Sequence, residues 1–261
     1  MDASTNILIC KNCEQEFTGN FCHHCGQKNI SGRLNFKFVL QDFIANLFNL
    51  EAPILRTVKE LTIRPGKFCR DFIEGKRVSK YKPVQYYLLI ATVYFLFYFA
   101  FDINQESFNK SNVYGPENNT LQMSAEAEKI NSGVKQFLVV FMDNIKYIDV
   151  AYILVIAFLA KLFFKKSGYN YVETLVTIFY IKAHALGIGL IFVLLEPLLG
   201  FAVFQLGGLV SLIYTLWAMA QFFNSGMVKG FFKSLLIFLL SQLVIIVPAI
   251  AGIIIYILIT H

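Results

Sequence analysis

Charge is scarce in this chain, and its scarcity is uneven. Only 15 % of the 261 residues are Asp, Glu, Lys or Arg. Stretches of about 20 residues after Pro83 carry almost none, whereas the helices of a soluble core interleave charges every few residues. No grouping of nucleophile, base and oxyanion donors is visible, so no enzyme is expected, and an enzyme acting on lipid ranks last among the readings. The chain also lacks a Gly-rich loop able to cradle a triphosphate and any clear internal repeat, which disfavours a monomeric transporter; a homo-oligomer would relax that objection. Its start is polar and rich in cysteine rather than basic and then apolar, so no cleavable signal peptide is expected.

Cysteine is rare as well, and four of the five are gathered at the start. Cys10, Cys13, Cys22 and Cys25 form two C-x-x-C pairs. Each pair turns two thiolates toward one point, and two such knuckles supply the four soft ligands of a closed tetrahedral zinc site. Gly26 follows the last cysteine, where a knuckle needs a residue tolerant of positive φ. With four protein ligands the metal has no open position for water or substrate, so the expected Zn²⁺ is structural, supplying about 10 to 16 kcal/mol of apparent folding energy to a module without a core. His23 and His24 could substitute as ligands, but they are read as solvated knuckle residues. Two disulfides are the alternative, disfavoured because the topology below puts this end in a reducing compartment. Cys69 stands alone and reads as a half-buried structural thiol.

Apolar runs dominate the rest: 56 % of residues are hydrophobic and 27 are Phe. They predict an all-α polytopic membrane protein with about five transmembrane helices, near 84–101, 148–164, 172–195, 201–223 and 230–260, with Pro248 kinking or ending the last. Residues 1–30 form the zinc-ribbon or knuckle module, 31–82 a basic amphipathic segment and 83–261 the membrane domain. Eleven Lys and Arg against five acids between Arg33 and Lys82 carry the whole net charge of +6. The positive-inside rule places this block, and with it the zinc module, in the cytoplasm. The segment 102–147 then lies outside, Lys161, Lys165 and Lys166 inside, Glu196 and Pro197 outside, Lys229 and Lys233 inside, and the C-terminus outside. One orientation satisfies all five spans. The expected location is the inner membrane of a bacterium.

Between Phe36 and Ile73 apolar residues recur at helical spacing around Pro53 and Pro65, which reads either as short amphipathic helices on the inner membrane face or as helices packed on the bundle. Gly75 is expected to end a helix. Arg64, Lys67, Arg70, Lys76, Arg77, Lys80 and Lys82 form a basic cluster just before the first span, expected to meet the bilayer and its anionic headgroups; nucleic acid is disfavoured because no base-reading motif accompanies it. Outside, Asn104 to Asn119 reads as loop and Ser124 to Tyr147 as a helix feeding the second span. Inside the third span lie Glu173, Lys182 and His184, which are functional candidates by default. Lys182 is about 14 Å beyond Glu173 along the helix, near mid-depth, and on the opposite face. Its candidate partners are Gln205, Gln221, Gln242 and Glu196.

The run from Cys10 to Gln27, the segment Arg64-Pro-Gly-Lys-Phe-Cys-Arg-Asp-Phe-Ile-Glu-Gly-Lys-Arg-Val-Ser-Lys-Tyr-Lys-Pro83 and Tyr171-Val-Glu-Thr-Leu-Val176 together resemble an uncharacterised bacterial membrane family, domain of unknown function 3667. The resemblance implies membrane location, a cytoplasmic zinc module and bacterial origin, and it supplies no activity. In that family the third span tends to carry Glu-His and further histidines. Here Glu173 is kept while Thr174 and Tyr180 replace histidines and His184 survives, so a histidine-rich metal or haem site is not carried over. The expected function is a non-enzymatic membrane protein whose zinc module binds a cytoplasmic partner or stabilises an assembly. The alternative is a small transporter or permeation component using Lys182 and His184.

Overall fold

The structure, a computed structural model, describes residues 7–29, 35–37, 54–78, 80–101 and 145–259. The expected helical face beyond position 37, the outer loop and the outer helix up to position 144 lie outside the described residues. The cysteine module contains a two-stranded antiparallel hairpin, β1 (Leu8–Ile9) and β2 (Glu16–Phe17), in the register Leu8 opposite Phe17 and Ile9 opposite Glu16. Helices follow: α1 (Ile54–Ile63), α2 (Pro65–Glu74), α3 (Pro83–Ala100), α4 (Ile145–Phe163), α5 (Tyr171–Leu199), α6 (Phe201–Phe223) and α7 (Met227–Ile259).

Local chemistry explains most boundaries. Pro65 and Pro83 stand at the first turns of α2 and α3, where the missing N–H has no partner to lose and φ is already helical. Gly75 ends α2 in the left-handed region at φ 112°, its N–H reaching Phe72 O while Lys76 N–H reaches Asp71 O, as expected of a helix-ending glycine. α5 starts at a capping box: the Asn170 side chain accepts from Glu173 N–H and the Glu173 carboxylate accepts from Asn170 N–H, both at 2.8 Å. α7 runs on past Pro248 instead of ending there.

Four helices are long and apolar enough to cross a membrane: Pro83–Ala100, Tyr171–Leu199, Ala202–Phe223 and Met227–Val244. The chain is thus a mostly helical membrane protein with four such spans among the described residues, one fewer than the five expected. The difference is the stretch near 148–164. It forms the 19-residue helix α4, and because α3 and α5 run in the same direction the chain has to return between them, as the five-span topology expects. Large apolar side chains on the outward faces, among them Leu96, Phe158, Leu209, Ile213, Phe232 and Leu239, are exposed, as lipid-facing positions are.

α5 is the centre of the bundle, packing against α1, α2, α3, α4 and α6, while α7 closes on α6 and α4. At 29 residues it is about 43 Å long, well beyond the ~30 Å hydrocarbon slab. Its contacts show which end overshoots. Tyr87 meets the Phe179 ring at 5.5 Å, Gly189 faces Tyr94 and Val193 packs with Tyr98, so α3 and α5 run side by side with the first turns of α5 extending past the start of α3. The buried residues of α5 concentrate in that first half.

What covers the overshooting end is the hairpin of α1 and α2. Leu61, Phe68, Cys69 and Phe72 are buried in the same core as Tyr180, Ile181 and Phe222, each large apolar side chain contributing roughly 1.5–3 kcal/mol. Tyr180 meets Phe68 and Phe72 edge to face at 5.0 and 5.4 Å. Tyr214 Oη donates to Leu61 O at 3.0 Å. Gly66 lies against the backbone of α6: a Cβ there would stand 2.5 Å from Gln221 C. Of the two readings of this segment, packing on the bundle is the one the described helices adopt.

That contact has a direct test. Gly66→Ala forces backbone to move against backbone and is expected to cost at least the ~1–3 kcal/mol typical of overpacking, read as a lower unfolding temperature of the purified protein. Gly208→Ala, whose Cβ would meet nothing within 4 Å, is expected to be neutral or to gain up to about 1 kcal/mol from helix propensity. Equal unfolding temperatures for the two variants would contradict the close packing of α2 on α6.

Candidate functional site

The four N-terminal cysteines converge. Their sulfurs all lie within 4.8 Å of one another, with Cys10 Sγ to Cys25 Sγ and Cys13 Sγ to Cys22 Sγ each 3.6 Å. A disulfide would need about 2.05 Å, and all five cysteines are free. A metal bound at about 2.3 Å by four thiolates at the corners of a tetrahedron sets its sulfurs about 3.8 Å apart, so the spacing fits a four-sulfur metal site. The two knuckles are built alike. Glu14 N–H returns to Cys10 O and Gly26 N–H to Cys22 O, both at 2.8 Å, with Glu14 at φ 63° and Gly26 at φ 73°. Burial would push the Cys10 thiol up, but backbone N–H groups of Cys13 and Asn12 and the thiols of Cys25 and Cys13 bring it down to about 7. At Cys13 a backbone N–H of Gln15 pulls down, but burial and the neighbouring thiols push it up to about 12, the splitting expected of thiols crowded at one point. His23 and His24 are exposed and do not belong to the set.

The module is held to the helical domain through Gln27. Buried among polar groups, its Nε2 donates to Gly75 O at 2.5 Å and its Oε1 accepts from Arg77 N–H at 3.2 Å. Lys11 lies so close to Gly75 that a Cβ there would be 2.8 Å from Lys11 Cδ. Gly75 therefore serves twice, as helix end and as docking point. Gln27 was legible only as the residue after the second knuckle; nothing in its spacing announces an acceptor 48 positions away.

The seven basic residues divide. Arg70 Nη1 donates to Gln221 O and Phe222 O at 2.5 and 3.0 Å, where the end of α6 leaves carbonyls unpaired. Arg77 Nε donates to Phe72 O at 3.0 Å. Lys80 is buried: its Nζ lies 3.9 Å from the centre of the Phe68 ring, 3.6 Å from Glu60 and 3.9 Å from Asp71. Burial lowers its pKa against the pull of those two carboxylates. Burial likewise raises Glu60, but Arg56 and Lys80 outweigh it and hold the carboxyl below its usual range. Arg64 and Lys67 are exposed and Lys76 is half-buried. Lys82 directly precedes α3.

Lys182 has an acidic partner, and it is none of the four anticipated. Its Nζ lies 2.9 Å from Asp149 Oδ1 on α4, and Tyr87 Oη donates to Asp149 Oδ2 at 2.8 Å. Tyr87 is four residues into α3, so the pair stands about 6 Å along that 18-residue helix. Gln242 instead donates to Tyr152 Oη at 2.9 Å, beneath whose ring Lys182 Nζ lies at 5.3 Å; the Gln221 side chain accepts from Gly66 N–H. Glu196 is buried near the far end of α5, and Gln205 lines a cavity of about 640 Å³ among α3, α4, α5, α6 and α7 that Lys182 also borders.

His184 is engaged through both ring nitrogens. Thr62 Oγ1 is 3.0 Å from Nε2 and Tyr86 Oη 3.1 Å from Nδ1. Because Thr62 spends its hydroxyl proton on Val58 O at 2.8 Å, the consistent tautomer carries the proton on Nε2 and accepts from Tyr86 at Nδ1. Neither nitrogen is left for a metal. Glu173 belongs to the α5 cap. Lys182→Leu alone strands a charged Asp149 and is expected to lower stability by about 3–5 kcal/mol, whereas Lys182→Leu with Asp149→Leu recovers most of it. Equal losses in thermal unfolding for the single and double variants would show that the pair does not act as a pair.

Comparison with known proteins is narrow. No curated protein and no solved structure matches the chain. Residues 51–95, which span the α1–α2 hairpin, Gly75, the buried Lys80 and the first two thirds of α3, match the model of a family described as Protein of unknown function (DUF3667); over that segment the chain is similar to this family.

Proposed function

We propose that this is a non-enzymatic protein of the bacterial inner membrane, its N-terminus cytoplasmic and its C-terminus outside, in which a zinc-ribbon module serves binding to a partner or assembly. The observation that carries the reading is the closed set of four sulfurs docked through Gln27 onto a hairpin that is itself packed on the bundle. Four thiolates around zinc leave no position for substrate, so the ion would supply folding energy and rigidity instead of chemistry. A rigid module held at a fixed place suits recognition. Its exposed apolar side chains Ile9 and Phe21 offer a surface for it.

The second reading, a permeation component, is favoured by the 640 Å³ cavity beside Lys182. It is weakened by the ion pair with Asp149 and by the two hydrogen bonds of His184, which give both candidates structural work. The leading reading predicts one zinc per chain in native mass spectrometry, lost in Cys10→Ser with Cys13→Ser, and a protein crosslink in cells from a photoreactive residue at position 21 that those cysteine changes abolish. A metal-free or disulfide-bonded protein, or a crosslink indifferent to the cysteines, would overturn it.

A further inference from the structure

At the end of the bundle where the cysteine module docks, a cleft of about 770 Å³ opens between α1, α2 and the module, with Asn12 on the module side. Six cations line it: Arg56, Lys59, Arg64, Lys67, Lys76 and Lys80. Only two acids do, Glu60 and Asp71. Both are already engaged, by Lys80 at 3.6 and 3.9 Å and, for Glu60, by Arg56 at 2.8 Å. Among the described residues no ion pair takes up Lys59, Arg64, Lys67 or Lys76. Four uncompensated cations around one concavity concentrate field lines and draw in anions, and a guanidinium with several ammonium groups matches the oxygens of a phosphate.

Position narrows the chemistry further. Lys80, on the floor, is three residues from the start of α3, so the cleft opens level with the beginning of a membrane span. Ile63 and Val78 line the same cleft at 55 % and 45 % exposure, which sets apolar surface beside the cations as an amphiphile would require. All of these lining residues except Asn12 fall within the 51–95 family segment.

We propose that this cleft binds a phosphate-bearing anion, with Lys59, Arg64, Lys67 and Lys76 contacting its oxygens and Ile63 and Val78 flanking it. The phosphate belongs either to an anionic phospholipid headgroup or to a free soluble phosphate. The proposal goes beyond the zinc-module reading and stands without it, since no lining side chain is a metal ligand.

The test uses the full chain in detergent and compares wild type with Lys59→Glu, Arg64→Glu and Lys67→Glu combined, all three residues being exposed. Arg64→Gln alone serves as a milder variant should the triple variant fail to fold, and Lys165→Glu with Lys166→Glu, exposed on another segment, controls for general charge. In native mass spectrometry with phosphatidylglycerol and phosphatidylcholine added, the triple variant is expected to retain the anionic lipid about tenfold less or worse, and Arg64→Gln a few-fold less. In the second arm, orthophosphate is added without lipid. A rise in unfolding temperature that the variants lack, without a lipid preference, identifies the soluble source, and lipid retention without that rise identifies the headgroup. Variants that match wild type in both arms, or a control that loses as much as they do, overturn the site.

Discussion

The close approach of α2 to the end of α6 is the contact on which the rest of the arrangement rests. Gly66 brings backbone to backbone at Gln221, and across the same joint Arg70 donates to the Gln221 carbonyl while the Gln221 side chain accepts from Gly66 N–H. With α2 seated there, Phe68 and Phe72 reach Tyr180, and Tyr81 is held by Thr57 and Tyr180 so that α3 starts in register with α5. Gly75, at the far end of α2, becomes the docking point of the cysteine module. One short helix thereby links the four-cysteine cluster, the first span and the bundle core.

The same geometry explains how a chain this poor in charge tolerates the charges it has inside. Lys182 and Asp149 neutralise each other, with Tyr87 and Tyr152 around them. They stand beside the first turns of α3, near the end of the bundle that the hairpin covers. Ionised groups so placed are stabilised by a partner and by a short path to the surface. Outside that shelter the cleft follows from a packing scheme that uses Arg70, Arg77 and Lys80 internally and leaves Lys59, Arg64 and Lys67 exposed and Lys76 half-buried at its rim.

What could be read from sequence was whatever local chemistry determines. Two C-x-x-C pairs fix a four-sulfur set because ligand spacing within a knuckle is short-range. Gly75, Pro65 and Pro83 mark helix ends because φ and the missing N–H act within one turn. Long charge-free runs mark spans because the slab sets their length. What escaped was tertiary. Asp149 sat at the margin between an outer segment and an apolar run, and only the pairing of α4 with α5 reveals it as the partner of Lys182. The two readings of the hairpin were equally compatible with its amphipathic spacing, since a helix face suited to lipid headgroups is also suited to another helix.

Hydrogen–deuterium exchange of the full chain in lipid nanodiscs tests the central claim most directly, because amides in a packed hairpin exchange through opening of the bundle whereas those of a surface-bound helix exchange through local fraying. Amides of residues 61–72 are expected to exchange as slowly as those of residues 175–181 of α5, and to speed up together with them in Gly66→Ala. Fast exchange of 61–72 beside a protected α5 would contradict the account.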